Sequence, residues 1–422
     1  MPKAMLYDVE TSVNVADKHL KTRKVLHVVA GMDPKTGGVC QAIRTIIGGL
    51  SELGIESEVA SADAPNAAYI ADYTFPIHTL GPAGGSWQYS AHLLPWLIDN
   101  MGRYDVVIVH GLWLYHSYAA RKAMQQLKRS QSASHTLPKL LIMPHGMLDP
   151  WFQEAKGRKI KALRNWLYWK VIEDKVVNEA DGMLFTCEEE LLLARKPFRP
   201  YHPSQEINVG YGIASSPTYT SAMTTAFLEK CPELENAPYW LFLSRIDVKK
   251  GVDLLVKAYA NVWTESQKTG RQIPKLVIAG PGQDTAYGKS IHQLVAETPG
   301  LTDAVIFPGM LTGNAKWGAF YNCQAFILPS HQENFGIAVV EALACGKPVL
   351  ISNQVNIWRE IESAGGGLVA PNSVAGTQQL LQQWVDLPTD AKQTMERQAR
   401  YAFEQHFYIK PAATRMAKAI GA

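Results

Sequence analysis

The sequence predicts an α/β protein of two doubly wound domains facing each other across a cleft, and three observations predict it. The chain has 422 residues, more than a single hydrophobic core usually supports. Short runs of β-branched and aliphatic residues alternate with longer stretches whose apolar positions recur every three to four residues, the pattern of parallel strands joined by helices. Between residues 214 and 237 that periodicity fades into a stretch rich in Ser, Thr, Ala and Pro, which reads as a linker (residues 215–237).

Taken in order, residues 1–22 read as a polar N-terminal extension, because Asp8, Glu10, Asp17 and several lysines break any strand period. The first strand is Lys24 to Ala30, and its loop carries Gly31, Pro34, Gly37 and Gly38. The helix after it, 39–53, places Ile43, Ile46, Ile47 and Leu50 on one face. The loop is not GxGxxG, so a dinucleotide fingerprint is absent; Gly37-Gly38 either admits a ligand close to the backbone or forms a plain tight turn. Further strands are expected at 58–60, 105–109, 139–143 and 182–186, and the run 206–213 closes a first domain of residues 23–214.

Sheets of this kind bind ligands at the carboxyl ends of their strands. Two loops stand there: His110-Gly111-Leu112-Trp113, and Pro144 to Trp151 with His145. Each histidine also reads as a structural hydrogen-bonding residue. Residues 155–180 are expected as one long helix, basic at Lys156, Arg158, Lys159, Lys161, Arg164 and Lys170 and apolar at Ile160, Leu163, Leu167 and Val171, with Trp166 and Trp169 among them. The favoured reading packs the apolar stripe on the sheet and leaves the cations solvated. The alternative rests the helix on an anionic membrane surface, a peripheral contact.

The second domain, residues 238–400, opens with the strand 239–244, the loop Arg245 to Gly251 and a helix carrying Leu254, Leu255 and Tyr259. More strand and helix units follow at 275–280, 304–309, 325–330 and 349–352, and the chain is helical from about Ser373. The stretch from His331 to Ala342 holds two glutamates, Glu333 in a loop and Glu341 one turn inside a helix running from near Ile337 to Gly346. The free amides of Phe335, Gly336 and Ile337 at that helix start suit an anionic or polyhydroxyl ligand, and Glu341 leans back toward it. Read blandly, Glu341 complements the helix dipole and Glu333 is a solvated acid. Arg245 and Lys250 suit a diphosphate, or else pair with acids such as Asp247. No Asp-x-Asp occurs, so the expected leaving-group site uses no metal.

The net charge of +3 is too small and dispersed to suggest nucleic acid as a partner. Five scattered cysteines show no metal-ligand spacing and read as free thiols. No apolar run is long enough to span a membrane and the first ten residues lack a signal-peptide pattern, so a cytoplasmic location is expected.

Glu333 to Glu341 with Phe335-Gly336 between them, the continuation to Val349, and Ser244-Arg245 with Lys250-Gly251 resemble the retaining GT-B glycosyltransferases of family 4, from about Lys24 to the C-terminus and most closely in the second domain. The resemblance implies two Rossmann-like domains, acceptor side first and nucleotide-sugar side second, with a C-terminal helix (401–422) crossing back to the first. It implies that Glu333 contacts the donor sugar with the amides of Phe335, Gly336 and Ile337, that Glu341 holds the ribose, and that Arg245 and Lys250 neutralise the departing diphosphate. Gly38 would lie near the phosphates, His145 near the sugar's outer hydroxyl, and Met310 where the backbone reads the base. Where the family has a Pro-Asn-Gly turn, this chain has Val209 to Ile213 with Tyr211 at the domain junction.

The segment Pro144 to Trp151 is similar to members that build bacterial surface polysaccharides, and UDP-glucose is the expected donor from family frequency. The expected acceptor is a saccharide or lipid-linked saccharide near His110, Trp113 and Trp87. No cofactor beyond the donor is expected. A nucleotide-sugar epimerase and a non-catalytic nucleotide-sugar-binding scaffold are the competing readings.

Overall fold

The computed structural model describes residues 23–130, 137–155, 157–234 and 237–422, so the expected N-terminal extension lies outside the described residues. The first domain runs β1 (Lys24–Val29), α1 (Gly38–Ser51), β2 (Glu56–Ser61), β3 (Ile77–Thr79), α2 (Leu93–Asn100), β4 (Val106–His110), α3 (Tyr115–Ser130), β5 (Lys139–Met143), α4 (Trp151–Glu154), α5 (Lys159–Tyr168), α6 (Asp174–Asn178), β6 (Gly182–Phe185), α7 (Glu188–Ala194) and β7 (Glu206–Asn208). Its strands pair in parallel in the order β3-β2-β1-β4-β5-β6-β7. With helices on both faces, β4 has no solvated side, and all five of its residues, His110 included, are buried.

The second domain runs α8 (Ser221–Leu228), β8 (Tyr239–Leu243), α9 (Val252–Thr269), β9 (Lys275–Ala279), α10 (Ala286–Ala296), β10 (Val305–Gly309), α11 (Gly313–Asn322), β11 (Ala325–Leu328), α12 (Ile337–Ala344), β12 (Val349–Ser352), α13 (Trp358–Ser363), β13 (Gly367–Ala370), α14 (Val374–Asp386) and α15 (Thr389–Ala402). Its sheet is parallel in the order β10-β9-β8-β11-β12-β13. The last helix, α16 (Ile409–Ile420), leaves this domain and buries Met416, Ala417 and Ile420 against Val25, Ile46 and Leu50 of the first. Both strand orders reverse at a switch point, between β1 and β4 in one sheet and between β8 and β11 in the other, where ligand crevices form.

The structure departs from the sequence reading in four places. The run 206–213 is a strand only to Asn208, after which the chain turns at Gly210 and crosses toward the second domain at Tyr211. The unpatterned stretch 214–237 is not all linker: α8 buries Met223 and Phe227, and Phe227, Cys231 and Leu234 join the second core. With only two apolar positions facing inward, its amphipathic signal was too weak to read. β3 and β13, of three and four residues, also escaped the pattern.

The fourth correction concerns 155–180. The helix starts only at Lys159, after Gly157, and is interrupted by a π-helical turn at Trp169–Glu173. Its buried side carries Asn165, Trp169, Glu173, Val176 and Val177. The apolar stripe faces outward instead, with Ile160 87%, Leu163 60%, Trp166 48%, Leu167 51% and Val171 68% exposed. The inward face is specified by hydrogen bonding: Glu173 Oε1 accepts from the Trp113 amide at 2.7 Å and the Ser117 hydroxyl at 2.8 Å. Period alone cannot reveal which stripe of a helix turns to the sheet.

Candidate active site

Arg245, Lys250 and Glu333, singled out in the second domain, meet at its switch point. β8 leads into the loop of Arg245, Lys249 and Lys250, and β11 leads into Ser330 to Gly336. The His331 amide donates to the Lys249 carbonyl at 2.8 Å and ties the two loops together. Lys250 forms an ion pair with Glu333, both side chains largely out of water. Asp247 instead accepts from the Lys249 amide at 2.9 Å as a local cap. Burial pushes the Glu333 carboxyl up, but Lys250, Lys249 and Arg245 outweigh it and hold the group below its ordinary value, so it is ionised. Lys249 was not singled out in the sequence, although it stands beside Lys250. Its ammonium lies 5.2 Å from the Phe152 ring and 5.7 Å from the Trp151 ring, across the cleft on α4.

Gly336 caps α12 with φ 75°, and a Cβ there would lie 3.2 Å from Glu333 Cγ and 3.1 Å from Val339. That left-handed residue turns the chain so the helix start and Glu333 share one corner. The Phe335 ring is buried and packs edge-on against Tyr211 at 4.5 Å, so Phe335 faces the domain junction and only its backbone is available to a ligand. The unusual Tyr211 thus fills the junction with packing. Glu341 pairs with Lys316 of α11 at 2.5 Å, a partner that carried no signal in the sequence. Burial moves Glu341 upward, opposed by Lys316. Met310, just past β10, is 67% exposed.

On the first domain, Gly38 opens α1, and a Cβ there would meet no atom of the described residues within 4 Å. His145 follows β5 with φ 52° and ends a chain of three stacked imidazoles. His27 Nδ1 lies 2.8 Å from His110 Nε2, and His110 Nδ1 lies 2.9 Å from His145 Nε2. Burial pushes His27 down to about 3, His145 down to about 4 and His110 well below its ordinary value, so the chain is neutral. The buried His27 Nε2 has no hydrogen-bond partner among the described residues. An unpaired lone pair is tolerated better than an unpaired N–H. The preferred arrangement therefore has His27 Nδ1–H donating to His110 and His110 Nδ1–H donating to His145. That leaves His145 protonated on Nδ1, a donor.

His110 itself is 1% exposed with both ring nitrogens engaged, so it cannot touch an acceptor, contrary to expectation. It stands behind His145. His27, which completes the chain, was legible only as a strand residue.

The two halves touch here. Gly146 donates its amide to the buried Glu190 at 2.5 Å and has φ 79°; a Cβ on it would lie 2.6 Å from Asn334. Asn334 donates to Thr186 Oγ1 at 3.0 Å, and Gln332 donates to Asp149 at 3.0 Å. His145 and Glu333 are thus held on abutting loops of opposite domains. Further out, Trp113 and Trp87 line a cavity of about 190 Å³ with Ser86, Arg164, Asn165 and Tyr168. A larger concavity of about 660 Å³ opens at the far ends of β9 and β10, by Lys275 and Ala304, and contains none of these residues. Among the described residues no group of three or more His, Cys, Asp or Glu side chains is placed to hold a metal ion.

An ionised cluster in the second domain, facing a neutral imidazole chain at the carboxyl ends of the first domain's strands, narrows the possible families, and sequence comparison decides among them. Residues 224–404 match the family described as glycosyl transferases group 1, and residues 37–203 match the glycosyl transferase 4-like domain. Together the two matches take in most of the chain, which belongs to the group 1 glycosyltransferase family. It is 27% identical over 205 residues to a D-inositol 3-phosphate glycosyltransferase of Streptomyces bingchenggensis, a match covering 47% of this chain and 44% of that relative. It is 26% identical over 328 residues to a glycogen synthase of Mycobacterium tuberculosis, covering 76% of this chain and 69% of that protein. The matches to the first of these relatives thus span under half of their length. In fold the glycosyltransferase resembles HepE of Anabaena, solved with UDP and glucose, at TM-score 0.70 and 17% identity over 94% of this chain and 99% of that one. That likeness establishes the shared GT-B architecture. No helix among the described residues is long and apolar enough to cross a membrane.

Proposed function

We propose that this glycosyltransferase moves a hexose, glucose by preference, from UDP-glucose to a saccharide or lipid-linked saccharide acceptor in polysaccharide biosynthesis, with retention at the anomeric carbon and without a metal. The observation that carries the reading is the convergence of Arg245, Lys249 and Lys250 about the ionised Glu333 at the start of α12. The carboxylate pairs with Lys250. A diphosphate bound at this corner draws Lys250 and Arg245 to itself, and Glu333 is released to accept hydrogen bonds from the sugar's hydroxyls.

Cleavage of the sugar–phosphate bond builds negative charge on the leaving diphosphate and positive character on the sugar. Fixed cations and the amides of Gly336 and Ile337 stabilise the first, and the Glu333 carboxylate stabilises the second. The acceptor hydroxyl loses its proton to a leaving phosphate oxygen on the same face of the sugar, so retention follows without a protein nucleophile. Glu341 and Lys316 hold the ribose side, and His145 donates Nδ1–H to the sugar's outer hydroxyl.

The test is a panel of UDP-, GDP- and ADP-sugars with EDTA present, read by nucleotide release and by the anomeric proton coupling of the product. Release from UDP-glucose above all others, with an α-linked product, is expected. A new nucleotide sugar would indicate an epimerase, binding without turnover a scaffold, and a β-linked product would end the retaining assignment.

A further inference from the structure

The outward stripe of α5 has no partner among the described residues. Ile160, Leu163 and Leu167 of α5, continued by Val171 in the π turn after it, recur at helical spacing on the exposed side, and Trp166 lies beside them. Lys159, Lys161 and Arg164 are exposed along the same helix, and Lys170 follows in the π turn. From Ala155 to Ile172 the chain has no Asp or Glu. A solvated helix face normally mixes both signs of charge and few apolar side chains. Five large apolar side chains exposed among cations, with no acid between them, instead form the face of an interfacial helix.

We infer that α5 docks this protein flat on an anionic lipid surface, with the apolar stripe in the headgroup boundary and the lysines on the lipid phosphates. Charge complementarity selects that occupant over a second copy of the chain, because two such cationic faces repel. The purpose of the docking rests on the lipid-linked-acceptor reading above. α5 also supplies Arg164, Asn165 and Tyr168 to the cavity with Trp87 and Trp113. A helix is about 10 Å across. Lipid under the outer face therefore lies roughly one helix diameter from the aromatic cavity, within reach of a saccharide carried on a membrane-anchored headgroup.

The full chain is floated with vesicles of phosphatidylcholine alone or with added phosphatidylglycerol, at low and high salt. The protein is expected to bind only the anionic vesicles and to be released by salt. Ile160→Ser/Leu163→Ser/Leu167→Ser/Val171→Ser is expected to lose binding at least about ten-fold, with unchanged thermal unfolding and unchanged nucleotide release from the donor. Lys159→Glu/Lys161→Glu is expected to lose about 20-fold or more, since each near-surface Lys contributes a factor of roughly five.

Absence of binding to anionic vesicles, binding indifferent to both variants, or a dimer that the serine variant turns into a monomer would overturn the inference. Docking together with refusal of every lipid-linked saccharide would sink the acceptor reading and leave the docking intact. Transfer to a lipid-linked saccharide in detergent, without vesicle binding, would do the reverse.

Discussion

Lys250→Ala separates the electrostatic role of the Lys250–Glu333 pair from its structural one. The two side chains are 12% and 17% exposed, so the pair is held mostly out of water. Removing one partner of a buried pair costs about 3–5 kcal/mol because the other charge is stranded. Lys249 and Arg245 still face Glu333 and the site is not sealed, so about 2 kcal/mol is expected here. Adding Glu333→Gln removes the stranded charge and should restore about 1 kcal/mol of that loss.

Catalysis behaves differently. Losing one preorganised charge at a developing anion lowers kcat by about 10²–10³, and Glu333→Gln cannot restore it. Glu333 lies below its ordinary value in the fold, so the stability it lends is present above about pH 4.5 and is lost as pH falls through that lower value. In Lys250→Ala the acid limb should move to higher pH. Urea unfolding by tryptophan fluorescence and single-turnover nucleotide release measure the two effects. Lys250→Ala turning over within a factor of about three of the parent, or a double variant no more stable than the single, would refute the reasoning.

Burial pushes Glu173 up to about 7, against the Trp113 amide and Ser117 hydroxyl that favour its charged form. Its contribution to stability is therefore full below about pH 4.5 and lost as pH rises through about 7, a change of about 3 kcal/mol. Glu173→Gln keeps the accepting oxygen and should flatten that dependence in urea melts taken from pH 5 to 8. Gly146→Ala forces a Cβ onto Asn334 at a left-handed residue, so a loss of about 2–3 kcal/mol and a donor KM raised about ten-fold by a cleft that closes poorly are expected. His110→Phe keeps the stacking but removes both hydrogen bonds that set the proton on His145. It should lower donor kcat/KM about ten-fold, with His110→Phe/His145→Ala no worse than His145→Ala because the two act as one unit. An additive double variant would show that His110 acts independently of His145.

The sequence by itself determined the α/β class, the order of most strands, and the local corner of the second site. Strand runs such as Val106–His110 are short, β-branched and buried on both faces, and the turn from β11 through Gly336 into α12 is encoded within a dozen residues. Its cations and glutamates were legible because charge at strand ends is a local signal. Pairing was not. Lys316 stands 25 residues from Glu341, and His27, His110 and His145 are brought into one chain by β1, β4 and β5 lying side by side. Only the tertiary structure decided that His110 is buried behind His145, that Phe335 packs on Tyr211, and that the α5 stripe faces outward. The physical reason is the same in each case. A residue's type and period fix what it can bind, whereas its neighbour across the fold fixes whether that capacity is spent inside the protein or offered at the surface.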